Sequence, residues 1–238
     1  MGVAGNEIFG RVGPPFWDDA PVFLVGGGPS LCGFDFHRLF GYVVGVNVAM
    51  FDLPECCAGV SMDYNFVRDN HARLSAFAQR AELFLVIGDR FHETLPVVER
   101  AIYLREMQGP GLSVHPTCVV RGGSSGHTAL GIAVLKLARS VVLLGYDYGR
   151  AGTGRHHYHD AYPAFHRADE QSWPTWAKHY DGAALSAKNN GIAVINASPQ
   201  SRIEAFPKMT IEEGLAWAQC RWSFPACRGS ATISINGR

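Results

Sequence analysis

Histidine and tyrosine side chains concentrate in one stretch of the sequence. Half of the ten histidines lie between Arg155 and Tyr180. Imidazole changes its charge near neutral pH, so a histidine in this stretch could act as a general base or bind a metal ion. The spacing matches no zinc signature, and three interpretations stay open: a solvated polar loop, a metal cluster, and a lid with a general base beside phosphate-binding tyrosines. The lid interpretation gives five candidate catalytic residues: His157, His159, His179, Tyr158 and Tyr162.

A glycine-rich turn follows the first apolar segment of the chain. It consists of Gly26, Gly27, Gly28, Pro29 and Ser30. Glycine at such a turn lets a ligand approach the backbone closely. The dinucleotide pattern G-x-G-x-x-G fails because its third glycine position is Leu31, and no Gly-Lys-Ser or Gly-Lys-Thr follows to complete a P-loop. The turn is therefore a candidate nucleotide-binding element without a dinucleotide signature, and the alternative is a plain tight turn.

A second cluster of small residues, Gly122 to Thr128, precedes a helical pattern. Its Gly123, Ser124 and Ser125 could offer backbone N–H groups and hydroxyls at the positive end of a helix dipole, which favours an anion. We predict that these three residues contact a nucleotide phosphate or sugar. Helix capping by serine is the alternative.

Polar side chains also follow several predicted strands. Asn47, Asp63 and Asp147 stand at such ends, as does Asp89. Asn47, Asp63 and Asp147 are candidate nucleotide-binding residues because the ligand crevice of a doubly wound sheet lies at the carboxyl ends of its strands. Asp63 and Asp147 could instead hold Mg²⁺. Each of these residues alone could also be a turn former or helix cap.

The apolar pattern predicts the scaffold that positions these residues. Short runs rich in β-branched residues alternate with helical patterns, which is typical of buried parallel strands joined by helices. We predict strands at 22–25, 42–46, 58–62, 83–87, 141–144 and 193–195, and helices at 65–80 and 128–138. The expected fold class is α/β, with a Rossmann-like, doubly wound and mostly parallel sheet.

The predicted organisation has three parts. Residues 1–20 form an N-terminal extension, 21–210 form the α/β domain, and 211–238 form a C-terminal helix and tail. Within the domain, 108–125 and 149–174 are irregular. Loops as long as the second are uncommon unless they serve as lids or binding loops. We therefore interpret 149–174 as a lid-like insertion.

Composition excludes several classes of protein. The 238 residues are 47% hydrophobic and 18% charged, which excludes global disorder. Lys and Arg together balance Asp and Glu, so the formal net charge is zero and binding of nucleic acid through a basic excess is not expected. No apolar stretch is long enough to span a bilayer. The beginning of the chain lacks signal-peptide features, and we expect a cytoplasmic protein.

As a set, these motifs resemble a known group of α/β domains. They are Val22-Phe-Leu-Val-Gly-Gly-Gly-Pro-Ser-Leu31, Asn47, Ser61-Met-Asp63, Gly122-Gly-Ser-Ser-Gly-His-Thr128, Val141-Val-Leu-Leu-Gly-Tyr-Asp147 and Ile195-Asn-Ala-Ser-Pro-Gln-Ser201. The group is the MptE-like family of 6-hydroxymethylpterin diphosphokinases and motility-accessory sugar transferases, with bacterial sialyltransferases as more distant relatives. Many phage proteins of unassigned role are similar. Where the family has Gly-Asn-Gly-Pro-Ser, this sequence has glycine in place of the asparagine, at position 27.

The resemblance implies a nucleotide-dependent transferase, first of all a glycosyltransferase with a nucleotide-sugar donor and an acceptor that the sequence does not identify. In the sialyltransferase-like members, the two glycine-rich elements hold the donor nucleotide, a histidine before the penultimate helix is the base, and tyrosines assist the departing phosphate. One alternative is an Mg²⁺-dependent pterin-type diphosphokinase, and another is a non-catalytic phage accessory or binding protein in the host cytoplasm. Four tryptophans could form a homo-oligomer contact or pack internally: Trp173, Trp176, Trp217 and Trp222.

Overall fold

The computed structural model describes residues 9–87, 96–150, 152, 154–161 and 170–223. Within them, eight strands form one fully parallel sheet in the order β6-β5-β4-β3-β2-β1-β7-β8. The strands are β1 (Val22–Val25), β2 (Tyr42–Val46), β3 (Ala58–Ser61), β4 (Glu82–Ile87), β5 (Ile102–Met107), β6 (Cys118–Val120), β7 (Ser140–Leu144) and β8 (Ala193–Asn196). The α/β, Rossmann-like fold class predicted from the sequence is confirmed.

Helices cover both faces of the sheet. They are α1 (Ala49–Asp52), α2 (Tyr64–Asp69), α3 (His71–Phe77), α4 (Ser125–Leu135), α5 (Trp173–Lys178), α6 (Tyr180–Asn189) and α7 (Ile211–Ser223). In β1, Val22 and Leu24 face the core under α4 and α6, whereas Phe23 and Val25 face the core under α1, α2, α3 and α7. Every side chain of β1 is therefore buried, which explains its uninterrupted apolar run.

The order of the strands reverses at β1. Strands β2 to β6 extend from one side of β1, and β7 and β8 extend from the other. In an open α/β sheet, the crevice beyond the carboxyl ends of the strands at such a switch point is the usual ligand site. Val25 pairs with Leu144, so the turns that follow β1 and β7 lie side by side.

Several predicted elements differ from those in the structure. Strands β5 and β6 were not predicted, and β6 lies inside the segment 108–125 that we expected to be irregular. The predicted helix 65–80 is divided into α2 and α3 at Asn70, where φ is −113° and ψ is 17°. The side-chain amide of Asn70 donates to Phe66 O and so competes with the helical backbone bonds. Helix α4 begins three residues earlier than predicted because Ser124 caps it.

The described part of the N-terminal extension packs against the α/β domain. Trp17 is 1% exposed, and its backbone N–H donates to Lys136 O. The Lys136 ammonium is completely buried and donates to Gly13 O, Pro15 O and the Glu82 carboxylate at 2.8, 3.0 and 2.6 Å. This buried cation thus attaches the extension to the end of the sheet opposite the crevice. In the described residues, no helix has the length and apolar character needed to cross a membrane.

Candidate active-site crevice

The turn after β1 is joined to the turn after β7 across the switch point. The Gly28 N–H donates to Gly145 O at 2.9 Å, and the Ser30 hydroxyl donates to Asp147 Oδ2 at 2.7 Å. A Cβ on Gly28 would lie 1.9 Å from that carboxylate oxygen, so only glycine allows this close approach. Two residues separated by 117 positions, Ser30 and Asp147, thereby form the floor of the crevice.

Asp147 is a buried acid in this floor. Burial raises its pKa above the usual value, and the hydrogen bond from Ser30 opposes that shift. Ser198 lies 3.3 Å from the Ser30 hydroxyl and accepts the Tyr146 N–H, so it supports both turns. A carboxylate in this position repels phosphate and accepts hydrogen bonds from hydroxyl or amino groups. The floor is therefore chemically suited to a nucleoside or sugar hydroxyl.

The histidine-rich segment 154–161 covers the glycine-rich turn. The Tyr158 N–H donates to Gly27 O at 3.1 Å, and its hydroxyl donates to Asp52 Oδ2 at 2.8 Å. His157 and His159 stack with their rings 5.3 Å apart, and a Cβ on Gly27 would lie 3.2 and 3.4 Å from their nearest nitrogens. Two imidazoles thus occupy the space above Gly27.

The second glycine-rich element forms the start of α4. Ser124 caps the helix by accepting the His127 N–H at 3.2 Å, and its hydroxyl lies 2.6 Å from the Tyr148 hydroxyl. Ser125 accepts the Met62 N–H at 3.1 Å and so joins α4 to the end of β3. The capping interpretation of Ser124 is confirmed. The first turn still leaves the Ser125 and Gly126 N–H groups without an intrahelical acceptor, which favours an anion.

Tyr146 joins the two glycine-rich elements. Its ring lies 3.3 Å from the position of a Cβ on Gly26, and its hydroxyl donates to Gly126 O at 3.2 Å. The next tyrosine, Tyr148, has a φ of +48°, an uncommon left-handed conformation for a bulky residue. That conformation directs its hydroxyl to Ser124. One continuous site therefore extends from the β1 turn to the start of α4.

His179 lies exposed beside the start of α4. Its Nδ1 is 2.7 Å from Gly122 O, and because a carbonyl only accepts, Nδ1 carries the proton. The neutral ring then has its lone pair on Nε2. The neighbouring His127 is 1% exposed, and burial, reinforced by electrostatic repulsion between two protonated rings at His127 and His179, lowers its pKa to about 4. His127 is thus a neutral core residue, whereas His179 has the tautomer of a general base.

Hydrogen bonding distinguishes the three candidate bases. His159 Nδ1 accepts the Ala161 N–H at 3.2 Å, so its neutral form carries the proton on Nε2 and has no lone pair left for a substrate. Burial also lowers the pKa of His159. His157 Nδ1 donates to Gly27 O at a longer 3.3 Å and lies over the glycine-rich turn. His179 alone of the three combines an exposed ring with a short orienting bond to a carbonyl.

Asn47 and Asp63 stand at the ends of neighbouring strands. Asn47 has a φ of +53°, and its Oδ1 is buried without a hydrogen-bond partner among the described residues. Asp63 caps α2 by accepting the Phe66 N–H at 3.1 Å. Strands β3 and β7 are separated by β2 and β1, so Asp63 and Asp147 start about 14 Å apart at about 4.8 Å per strand. The structure does not bring these two carboxylates together as ligands of one Mg²⁺ ion.

The structure brings most of the predicted site residues to one edge of the sheet. Tyr162 and Asp89 lie outside the described residues. The N–H groups of Gly26 and Gly28 donate to backbone carbonyls of the protein itself, so they are not available to a ligand. Tyr148 and Ser198 were not predicted as site residues, although Ser198 lies within the Ile195–Ser201 motif. Tyr148 directly follows the Gly145-Tyr-Asp147 motif, and that position after a predicted strand could have identified it.

Comparison with solved structures shows what this fold is similar to. The Maf glycosyltransferase from Magnetospirillum magneticum AMB-1 matches 92% of the chain with 14% identity and a TM-score of 0.54, and the chain spans 40% of that protein's length. The sialyltransferase CstII from Campylobacter jejuni was solved with the substrate analogue CMP-3FNeuAc. Its match covers 80% of this chain and 86% of the CstII chain, with 15% identity and a TM-score of 0.48. No protein-family model and no curated protein sequence matches the chain. The doubly wound fold is thus shared with the Maf glycosyltransferase.

Proposed function

We propose that this protein is a glycosyltransferase that uses a nucleotide-sugar donor. The observation that carries the proposal is the position of His179, an exposed imidazole with a fixed tautomer beside the start of α4. A glycosyl transfer requires these two elements together: a base for the acceptor hydroxyl and a group that stabilises the departing phosphate. The fold shared with the Maf glycosyltransferase supports the proposal.

In the proposed reaction, His179 Nε2 takes the proton of an acceptor hydroxyl. The hydroxyl oxygen forms a bond with the anomeric carbon of the donor sugar, and the bond from that carbon to the phosphate oxygen breaks. The nucleotide leaves with the electron pair. Its negative charge would be stabilised by the Gly126 N–H at the start of α4 and by one hydroxyl of the Ser124–Tyr148 pair, because the other hydroxyl hydrogen of this pair lies between the two oxygens.

The polar groups of the crevice support one orientation for a bound nucleotide-sugar donor. Asp147 offers an acceptor beyond the end of β7, and the buried Asn47 Oδ1 offers one beyond the end of β2. They would bind ribose hydroxyls or an amino group of the base. The start of α4 offers donors and would bind the phosphate. Tyr158 and His157 would close over the nucleoside, because both contact Gly27 O.

An Mg²⁺-dependent diphosphokinase of the pterin type is the second candidate activity. It would require Mg²⁺ at the ATP phosphates. Asp63 and Asp147 stand three strand intervals apart, so each could contribute only to a separate ion. A non-catalytic phage accessory or binding protein is the third candidate. It predicts that replacing His157, His159 and His179 together changes no measurable property.

Thermal-shift measurements combined with a turnover assay test the proposal. Nucleoside mono- and diphosphates and nucleotide sugars at millimolar concentration should raise Tm, and the best nucleotide sugar should release its nucleotide when acceptor sugars or water are present. ATP with Mg²⁺ is tested in parallel with hydroxymethyl acceptors. If ATP with Mg²⁺ is the only ligand turned over, the diphosphokinase is supported instead. If no nucleotide or nucleotide sugar changes Tm, the transferase proposal fails.

A further inference from the structure

Trp176 lies at the rim of the crevice, next to the proposed base. The pyrrole side of its indole packs on Gly123, where a Cβ would lie 2.4 Å from Trp176 Cδ1 and 2.7 Å from Nε1. Gly123 has a φ of +77°, so its backbone conformation and this close approach both favour glycine. The preceding residue, Gly122, supplies the carbonyl that accepts from His179 Nδ1. Two consecutive glycines therefore hold the base and this tryptophan side by side.

Trp176 differs from the other four tryptophans in what lies against its ring. Each of the others has an aromatic ring or a cation beside its indole: Tyr42 and Lys136 at Trp17, His156 and Arg202 at Trp173, Arg221 at Trp217, and Phe40 at Trp222. Among the residues that the structure describes, no ring or cation stacks on Trp176, and its indole N–H has no acceptor. The side chain is partly exposed. A large ring with one polar edge and no such partner in the fold is suited to a ligand that has both C–H groups and hydroxyls.

The spacing of Trp176 and His179 gives this ligand its place. The two residues are three positions apart, and His179 keeps helical backbone angles, with φ of −62° and ψ of −21°. Side chains at this spacing are neighbours, with about 5–6 Å between their Cβ atoms. One monosaccharide ring spans such a separation, so it can lie on the indole and direct a hydroxyl at His179 Nε2. Its C–H groups would meet the electron-rich face of the indole, and another hydroxyl would accept from the indole N–H.

We propose that Trp176 is the platform on which the acceptor binds, and that the acceptor is a pyranoside with axial C–H groups on one face of its ring. The inference rests on the proposed function because it needs His179 as the base for the acceptor hydroxyl. It goes beyond that function by naming the chemical class of the acceptor and the residue that selects it. The nucleotide is held by other residues, Ser124 and Asp147 among them, so the platform affects the acceptor alone.

NMR titration tests the platform without a donor. The probes are methyl β-galactopyranoside, methyl β-glucopyranoside and the methyl β-glycoside of N-acetylglucosamine, and the negative control is sorbitol, an acyclic polyol without a ring face. The indole resonance of Trp176 is assigned by its disappearance in Trp176→Phe. In the wild type, this resonance should shift with at least one glycoside and not with sorbitol.

Variants of the platform measure its contribution. Trp176→Leu should weaken binding of that glycoside about 5- to 10-fold, because the aromatic face is lost. Trp176→Phe keeps a smaller ring face and should lose only about 2- to 3-fold. The matched control is Trp222→Leu, which removes another partly exposed indole and should leave glycoside binding unchanged. Trp222 lines a cavity with Pro21 and Ser140, at the starts of β1 and β7 and thus at the opposite end of the sheet.

Turnover separates the acceptor from the donor. With the nucleotide sugar that the protein uses, Trp176→Leu should raise the KM for the glycoside about 5- to 10-fold. Transfer of the donor sugar to water and the affinity for the nucleotide should both stay within about 2-fold of the wild type. Thermal unfolding verifies that each variant is folded. If Trp176→Leu does not fold, the resonance shift in the wild type and the loss in Trp176→Phe decide the question.

The outcomes for the platform and for the proposed function are distinguishable. Equal losses in Trp176→Leu and Trp222→Leu, an equal loss of nucleotide binding in Trp176→Leu, or glycoside binding without a shift of the Trp176 resonance would each overturn the inference. A wild type that binds nucleotides but none of the glycosides refutes the platform and leaves the proposed function intact. A wild type that neither binds a nucleotide nor turns over a nucleotide sugar refutes the proposed function, and the acceptor role of Trp176 with it.

Discussion

Replacing Gly28 with alanine should disrupt the floor of the crevice. The added Cβ would lie 1.9 Å from Asp147 Oδ2 and 2.5 Å from Gly145 O, well inside van der Waals contact. Overpacking of this kind costs about 1–3 kcal/mol. Loss of the Gly28 N–H bond to Gly145 O adds about 1 kcal/mol. We expect a loss of about 2–4 kcal/mol in the free energy of unfolding, or a fall in Tm of about 10 °C for a chain of this size.

Calorimetric unfolding measures this loss against Gly13→Ala as the control. A Cβ on Gly13 would meet nothing within 4 Å, so that variant should change Tm by no more than about 2 °C. Gly28→Ala should also lose nucleotide binding at temperatures where it is still folded, because the Ser30 bond to Asp147 cannot survive the displacement of the turn. A Tm equal to that of Gly13→Ala would refute the packing argument. A lower Tm with unchanged nucleotide affinity would show that the turn is not part of the ligand site.

Three further predictions concern the base, the buried acid and the buried cation. His179→Gln should lower turnover about 10²- to 10⁴-fold, as expected for a lost general base. Donor binding should stay within a factor of about 2 of the wild type. The control His71→Gln replaces another histidine whose ring bonds to a carbonyl, and it should change neither turnover nor donor binding. Asp147 has a raised pKa in the folded state, so its ionisation destabilises the fold as pH rises. In urea unfolding, the free energy of unfolding of Asp147→Asn should therefore increase relative to that of the wild type between pH 4 and 7.5. A difference between the two proteins that does not change with pH would contradict this. Lys136→Met removes the partner of Glu82 and should cost about 3 kcal/mol in the same assay, whereas a loss below about 1 kcal/mol would show that the buried ion pair is not a major stabilising contact.

Local patterns predicted six of the eight strands and missed β5 and β6, which lie at one edge of the sheet. Strands β1 and β2 coincide with the predicted ranges because their side chains are buried between two layers of helices. The second half of strand β5 is exposed or half-buried and includes the charged residues Arg105 and Glu106. Strand β6 has three residues and lies in a segment rich in Gly, Ser and Pro. Neither strand carries the continuous apolar run on which the prediction depended.

The candidate site was predicted as separate fragments. Residue type and position at strand ends indicated Ser30, Asp147 and Ser124 individually. Their pairing depends on strand order, because Ser30 meets Asp147 only when β7 lies beside β1. The tautomer of His179 depends on the Gly122 carbonyl, which is 57 positions away and carries no sequence signal. Contacts of this kind follow from the folded topology and not from local pattern.

A crystal structure of the protein bound to the nucleotide that most raises its Tm tests the central claim most directly. The account predicts the nucleoside beside Asn47 and Asp147, with the phosphate within about 3 Å of the Ser124 hydroxyl and the Gly126 N–H. His179 Nε2 should face the position of the transferred sugar. A nucleotide bound elsewhere, or bound in the crevice with its phosphate at Asp147 and its base at α4, would contradict the account.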